Sequence, residues 1–251
     1  MFVSWNLKLN VDKCVVMRFG CGRSVVGGGG ETSGYFIGES ELKLVEKHRD
    51  LGVVVDRTLK FHSNVDSAVR KASGLANSLL RSTVCREEHF MVSLFVSHVR
   101  PILDYCSSVW NSGYVGDIRK LESVQRRWTR QIVGLEGLDY PTRLKRVGLY
   151  SVAGRMLRAD IIKVWKVLRG VCCERLRELF DFRVHGATRG HGYKLAVPRC
   201  RTELKRRFFS SRVVGVWNGL SAETVGADTL GMFKGYLDGS CGEAFYAVSG
   251  S

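Results

Sequence analysis

No part of the sequence contains the roughly 18 to 20 consecutive apolar residues that a membrane-spanning helix requires. The start also lacks a basic segment followed by an apolar stretch, which a signal peptide would need. Acidic residues are scarce, since 24 Asp and Glu stand against 39 Lys and Arg and leave a net charge of +15 over 251 residues. We therefore predict an intracellular protein, nuclear or cytoplasmic, that has no membrane partner. The excess of positive charge predicts an anionic partner such as nucleic acid.

Metal-binding patterns are also sparse. The eight cysteines are scattered without a C-x₂-C pair, which favours reduced thiols over a disulfide framework. Five side chains could still supply zinc ligands: His185, His191, Cys200, Cys172 and Cys173. Adjacent cysteines near a helix end are more often packing residues than ligands. We therefore predict no metal and no other cofactor for this chain.

The most informative stretch is a predicted helix from Ile118 to Val133. Asp117 is a favourable N-cap, and Gly134 is a usual helix stop. At about 100° per residue, one arc of this helix is predicted to face the core: Ile118, Leu121, Val124, Gln125, Trp128 and Ile132. The opposite arc is strongly basic, with only Glu122 at its margin, and holds Arg119, Lys120, Arg126, Arg127 and Arg130. Solvated helix faces usually mix charge signs at i and i+4, so this row of like charges predicts an anionic partner.

The first 60 residues predict turns and short strands. Residues 10–19 form a turn followed by a β-rich run from Cys14 to Phe19. The four glycines at 27–30 predict a surface loop, because a glycine run loses too much entropy inside an element. Residues 35–56 alternate short apolar runs with turns, which predicts three antiparallel strands.

Two further helices are predicted before the basic one. Residues 64–81 repeat apolar side chains at helical spacing, and small alanines there would let a neighbouring helix approach closely. The next helix is predicted from Glu87 to Val99, ended or kinked by Pro101. Its predicted apolar side consists of Phe90, Met91, Leu94, Phe95 and His98. Together with the basic helix, these elements predict a three-helix unit.

The C-terminal part predicts more helices and a second basic group. A helix within residues 142–170 would turn Trp165 inward and Arg155 outward. Residues 181–200 predict an irregular loop, followed by helical residues 203–220 and a short helix between the N-cap Asp228 and Gly239. A net charge of +7 lies between residues 189 and 212, where Glu203 is the single acidic residue. Its basic residues are Arg189, Lys194, Arg199, Arg201, Lys205, Arg206, Arg207 and Arg212.

Several of these segments resemble one family. PILDYCSSVWN (101–111) followed by IRKLESVQRRWTRQIVGL (118–135) resembles the region after the catalytic palm in reverse transcriptases of jockey-like and CR1-like non-LTR retrotransposons. TRGHGYKL, PRC and RRFFSSRVVGVWNGL resemble the C-terminal region of the same proteins. The Asn-x-x-Lys-Cys turn at 10–14 resembles their motif D, whose lysine, matching Lys13, is proposed to protonate the pyrophosphate leaving group.

The resemblance implies an α+β fold that is mostly α. Residues 1–60 would be a palm remnant with a small antiparallel sheet, residues 61–140 a helical thumb, and residues 141–251 a basic helical C-terminal domain. The two basic groups would bind RNA or an RNA–DNA duplex, and upstream polymerase domains would be partners in the intact protein. No small-molecule substrate is predicted.

The resemblance also implies what this chain cannot do. The family enzyme holds Mg²⁺ with adjacent aspartates that precede the motif D turn, and no two aspartates are adjacent here. We therefore expect the isolated chain, as a fragment of an RNA-directed DNA polymerase, to be catalytically inactive. Two alternatives stay open: a helical module that binds acidic proteins, or a truncated gene model of an active reverse transcriptase.

Overall fold

The computed structural model describes residues 10–20, 34–182 and 191–248. The chain divides into two compact units, residues 1–64 and residues 65–251. It is mostly helical with a few short strands, as predicted. The predicted boundary after residue 60 lies close to the division between the units, whereas the predicted boundary after residue 140 falls within a helix of the second unit. The predicted glycine loop lies outside the described residues.

In residues 10–20 and 34–64, the described part of the first unit, the chain forms a 3₁₀ turn and five short strands. The strands are β1 (Val15–Val16), β2 (Tyr35–Ile37), β3 (Ser40–Leu44), β4 (Lys47–Asp50) and β5 (Val53–Asp56). Strand β3 pairs antiparallel with β2 and parallel with β1, and β4 and β5 form a separate hairpin. The prediction of three antiparallel strands in residues 35–56 was therefore one strand short. Leu51 and Gly52, both with positive φ, form the tight two-residue turn that creates the additional pair.

Helices account for nearly all regular structure beyond residue 61. They are α1 (His62–Ser82), α2 (Glu88–Leu94), α3 (Arg100–Asp104), α4 (Ser107–Trp110), α5 (Val115–Thr129), α6 (Tyr140–Arg146), α7 (Val152–Leu168), α8 (Glu203–Arg207), α9 (Phe209–Arg212), α10 (Val214–Asn218), α11 (Ala222–Gly226) and α12 (Leu230–Tyr246). A 3₁₀ helix, Glu174–Leu179, follows α7. Within the described ranges, no helix combines the length and the apolar character that crossing a bilayer would require.

A π-helical turn, Phe95–Val99, joins α2 to α3. The buried apolar residues of this segment recur every fourth position: Met91, Phe95, Val99 and Leu103. In a regular α-helix, a spacing of four drifts by about 40° per step, and the wider π turn compensates for that drift. Pro101 lies in the first turn of α3, where its missing N–H is tolerated. The prediction that Phe90 and His98 belong to the apolar side was wrong, since both are exposed.

A hydrophobic core surrounds the C-terminal half of α7. Its largest contributors come from α7, α9, α10 and α12: Ile161, Val164, Trp165, Phe209, Trp217, Phe233, Leu237 and Phe245. The rings of Trp165 and Phe233 stack with their centres 5.4 Å apart, which confirms Trp165 as a core residue. Arg155 is buried rather than outward-facing. Helix α12 is capped by Thr229, whose hydroxyl accepts from the Met232 N–H (3.2 Å), and not by Asp228. Helix α12 also continues through Gly239, where the sequence predicts its end.

Gly154 gives a test of how closely α7 and the end of α12 pack. A Cβ atom built on Gly154 would overlap the backbone carbonyl of Phe245, whereas one built on Gly235 of α12 would meet no atom within 4 Å. Ala normally stabilises a helix interior relative to Gly by about 1 kcal/mol. We expect Gly235→Ala to raise the free energy of unfolding, and Gly154→Ala to lower it by about 1–3 kcal/mol because backbone must move. Urea unfolding of both variants measures this, and stabilisation by both would contradict the close packing.

Candidate nucleic-acid interface

Helix α5 forms the centre of the candidate interface, with different ends from those predicted. It begins at Val115, after an extended Tyr114 whose carbonyl accepts from the N–H groups of Asp117 and Ile118 (3.0 Å each). Asp117 is thus buried in the first turn and is not the N-cap. The helix ends at Thr129 rather than Val133, because the Val133 N–H donates to the carbonyl of Arg86 (3.0 Å), outside the helix.

The inner face of α5 is as predicted. All six residues of the predicted core arc are at most 8% exposed. The Trp128 Nε1–H donates to the Met91 carbonyl (3.1 Å), and its ring lies 5.8 Å from that of Phe95. These contacts fix how α5 is rotated about its axis against α2 and the π turn. The opposite arc must therefore face outward.

The outer arc carries the predicted cations, and we call these five residues the basic face of α5: Arg119, Lys120, Arg126, Arg127 and Arg130. Four of them are exposed, and Arg126 is half-buried. Lys120 is the one with acidic neighbours, since its Nζ lies 2.6 Å from Asp66 and 3.9 Å from Asp117. The hydrogen bond to Asp66 raises the pKa of Lys120. Within the described ranges, the remaining four have no carboxylate within 4 Å of their guanidinium groups.

Glu122 does not offset these charges, contrary to the sequence interpretation. Its side chain is buried, with the residue only 3% exposed. Its carboxylate accepts hydrogen bonds from the Tyr140 hydroxyl and from the Val152 N–H (2.9 Å), so it joins α5 to α6 and to the first turn of α7. Burial raises the pKa of Glu122, and the hydrogen bonds and the charge of Arg155 offset part of that effect. Within α5, the acidic contact of the basic face is consequently the one between Asp117 and Lys120.

The buried position of Glu122 predicts a pH-dependent stability. Because its pKa is raised in the folded chain, its contribution is fully present below its unfolded pKa and is lost as the pH rises through the folded value. Glu122→Gln removes this titration. We therefore expect the free energy of unfolding of the wild type, minus that of Glu122→Gln, to decrease from acidic to neutral pH. Denaturation at a series of pH values measures it, and a constant difference would contradict the assignment.

Arg143 of α6 extends the basic face, and the sequence did not indicate it. The residue is 5% exposed. Its Nε donates to the Thr129 hydroxyl (3.3 Å) and its Nη1 to the Leu138 carbonyl (2.6 Å). The guanidinium carbons of Arg143 and Arg126 lie 5.5 and 4.9 Å from the centre of the Tyr140 ring. Burial lowers the pKa of Arg143, and the nearby charges of Arg130 and Arg126 lower it further.

Arg155 is a buried cation that is neutralised by an ion pair and hydrogen bonds within the fold. Its Nε lies 3.0 Å from an Asp104 carboxylate oxygen, and its Nη1 donates to the Tyr150 carbonyl (2.8 Å) and to Gln125. The side chain is 4% exposed. The partly buried ion pair links α3 to α7, and the hydrogen bond to Gln125 adds α5. Arg143, with neutral acceptors only, differs clearly from this arrangement.

The second basic group separates into paired and exposed residues. Arg212 forms two hydrogen bonds with Asp160 (2.8 and 3.1 Å) and one with the Ser108 carbonyl (3.1 Å), so it stabilises the fold and is not available to a ligand. Arg206 and Arg207 both contact Glu203 (2.9 and 3.0 Å). Lys194 is half-buried. Three members are exposed without a carboxylate within 4 Å in the described ranges: Arg199, Arg201 and Lys205. Arg189 lies outside the described residues.

Arg207 brings this second group towards α5. Its Nη1 donates to the Ser112 carbonyl (3.1 Å), and its guanidinium carbon lies 4.3 Å from the centre of the Tyr114 ring. Tyr114 immediately precedes α5. The end of α8 therefore lies beside the amino end of α5, although the two are about 90 residues apart in sequence.

The predicted motif D lysine and the candidate zinc ligands lie elsewhere. Lys13 is exposed at the end of the 3₁₀ turn Val11–Lys13, in the first unit. His191 is buried against Trp217, and its Nε2 lies 3.2 Å from the Trp217 carbonyl. His185 lies outside the described residues. Where the structure describes the chain, the cysteines are free thiols, and no three His, Cys, Asp or Glu side chains are grouped closely enough to hold a metal ion.

Comparisons of the chain with protein-family profiles, with curated proteins and with solved structures give no match.

Proposed function

We propose that the chain binds RNA or an RNA–DNA duplex through the basic face of α5, as the thumb and C-terminal part of a non-LTR retrotransposon reverse transcriptase would. The observation that carries this proposal is the segregation of charge on one helix. Four arginines of the outer arc have no carboxylate within 4 Å in the described ranges, while Glu122 of the same helix is turned into the core. The sequence resemblance supports the same partner.

A merely solvated helix face would have a different charge pattern. Arg126 and Arg130 are four residues apart, and Arg127 and Arg130 are three apart, so like charges occupy neighbouring turns. Such pairs destabilise a helix by about 0.2–0.5 kcal/mol each. A polyanion that neutralises them removes this cost and releases its own counterions. The face therefore has a physical reason to bind phosphates.

The dimensions of the face suit a nucleic-acid backbone. Arg119 and Arg130 are eleven residues apart, which corresponds to about 16 Å along a helix. A duplex rises by about 3.4 Å per base pair along its axis, so the face spans roughly five base pairs, which carry phosphates on both strands. Contacts of this kind position a protein on a duplex without reading its sequence. We propose sequence-independent binding.

The exposed part of the second basic group would extend the same surface. Arg207 lies beside the residue that precedes α5, and three exposed cations belong to the segment around it. A duplex held along α5 would then contact both groups. We expect substitutions of Arg199, Arg201 and Lys205 to weaken binding less than substitutions in α5, since their supporting segment contains short elements rather than one rigid helix.

A salt titration tests the proposal. We expect the logarithm of the association constant for a short RNA–DNA duplex to fall linearly with the logarithm of the salt concentration, with a slope of about −4 to −5 if each of the five cations of the basic face contacts one phosphate. Fluorescence anisotropy with a labelled duplex measures it. A slope near zero, or no binding at low salt, would contradict the proposal. Equal affinity for polyglutamate would instead favour the acidic-protein alternative.

A further inference from the structure

We propose that Arg126, Arg130 and Arg143 form a defined binding site for a single phosphate group at the carboxyl end of α5, beside the ring of Tyr140. The site deepens the proposed function, on which it depends for the source of the phosphate, a nucleotide backbone. It differs from the rest of the basic face because one of its cations is buried and belongs to another helix.

The fold brings the three guanidinium groups together in a specific way. Arg126 and Arg130 are one turn apart at the end of α5. Arg143 reaches the same turn from α6, since its Nε donates to the hydroxyl of Thr129 (3.3 Å). The Tyr140 ring lies within 6 Å of the guanidinium carbons of both Arg126 and Arg143. Tyr140 itself is held by its hydroxyl hydrogen bond to the buried Glu122.

No ion pair in the described part of the chain neutralises this group of charges, although the more distant charge of Asp139 acts favourably on Arg143. None of the three guanidinium groups has a carboxylate within 4 Å in the described ranges. The hydrogen-bond acceptors of Arg143 are a hydroxyl and a backbone carbonyl, and the end of α5 supplies only partial negative charge. A buried charge without a counter-ion is costly. Arg155, which is buried to the same extent, is paired with Asp104.

The chemistry of the site favours a tetrahedral phosphate group, which a nucleotide backbone carries as a singly charged diester. Arginine presents planar forks of N–H donors that match phosphate oxygens, and charge-assisted hydrogen bonds of this type are about twice as strong as neutral ones. Three forks from two helices can contact several oxygens of one phosphate. Burial lowers the pKa of Arg143 most, and the charges of Arg130 and Arg126 lower it further; a bound phosphate would offset that repulsion.

Inorganic phosphate is the first probe. We compare wild type, Arg126→Gln/Arg130→Gln, and the control Arg119→Gln/Arg127→Gln, which removes the same charge from the same helix and leaves Arg143 untouched. Replacing chloride by phosphate at equal ionic strength is expected to raise the unfolding midpoint of wild type and control by about 2–4 °C, and that of Arg126→Gln/Arg130→Gln by less than 1 °C. In chloride, the latter variant should be at least as stable as wild type, because like charges are removed. Equal phosphate shifts in all three proteins would overturn the site.

A labelled RNA–DNA duplex is the second probe and identifies the source of the phosphate. If Arg126→Gln/Arg130→Gln lowers duplex affinity at least about tenfold more than the control, the ligand is a backbone phosphate and both proposals are supported. If the phosphate shift is lost but the two variants bind duplex equally, the site takes free phosphate, and its assignment to the nucleic-acid interface is overturned. If the wild type shows the phosphate shift but binds no duplex, the proposed function fails while the phosphate site stands.

Discussion

Trp128→Ala is expected to lower the free energy of unfolding by about 3–5 kcal/mol, the cost of removing a large buried aromatic side chain. Trp128 is 1% exposed, packs against Phe95 and donates to the carbonyl of Met91. Its loss leaves a cavity and removes one of the two hydrogen bonds that the Met91 carbonyl accepts, the other coming from the Phe95 N–H. The adjacent substitution, Arg127→Ala, is expected to change stability by no more than about 0.5 kcal/mol, since Arg127 is exposed.

Chemical denaturation of both variants measures this contrast, and nucleic-acid binding provides the reciprocal readout. Arg127→Ala should weaken binding, whereas Trp128→Phe, which retains an aromatic ring, should bind as the wild type does under conditions where it is folded. Similar stability losses for Trp128→Ala and Arg127→Ala would show that α5 is rotated differently from the orientation described here. The assignment of a buried apolar face and an exposed basic face to α5 would then be wrong.

Arg126→Gln/Arg127→Gln/Arg130→Gln is expected to produce the largest loss of binding. We expect the affinity for duplex to fall about 30- to 100-fold at physiological salt, and the salt slope to decrease in magnitude by about 2 to 3, because three phosphate contacts and their released counterions are lost. The loss should be similar for different sequences, since backbone contacts do not read bases. Anisotropy titrations at several salt concentrations measure both quantities.

The matched control changes the same total charge at another surface. Lys163→Gln/Lys166→Gln/Lys234→Gln removes three positive charges from α7 and α12, where the lysines are partly exposed. We expect this variant to bind within about threefold of the wild type, because these lysines belong to α7 and α12 and not to the proposed interface, and exposed charges outside a binding surface are screened by salt. Equal losses in the two triple variants would mean that total charge alone governs binding.

Helical periodicity predicted the inner face of α5 but not its ends. The core arc depends on an angle per residue, which Ile118, Leu121 and Trp128 follow regardless of what surrounds them. The ends depend on partners that are distant in sequence. The Val133 N–H donates to the carbonyl of Arg86 instead of continuing the helix. No local feature of the sequence indicates that contact.

Partners that are distant in sequence also explain why the predictions for three charged residues were wrong. Glu122 and Arg155 were assigned to outward faces because charged side chains usually face solvent. Each is buried because another element supplies a matching group, Tyr140 for Glu122 and Asp104 for Arg155. The sequence places Arg212 in a basic group, but in the structure Arg212 pairs with Asp160, 52 residues away. Composition counts charges, but only the fold shows which are neutralised.

Photocrosslinking tests the central claim most directly. A duplex with a photoreactive group on its backbone would be crosslinked to the wild-type chain and the modified peptides identified by mass spectrometry. We predict crosslinks within α5 and at Arg143, with a smaller number between Arg199 and Lys205, and their loss in Arg126→Gln/Arg127→Gln/Arg130→Gln. Crosslinks confined to other surfaces, with none in residues 115–130, would contradict the account.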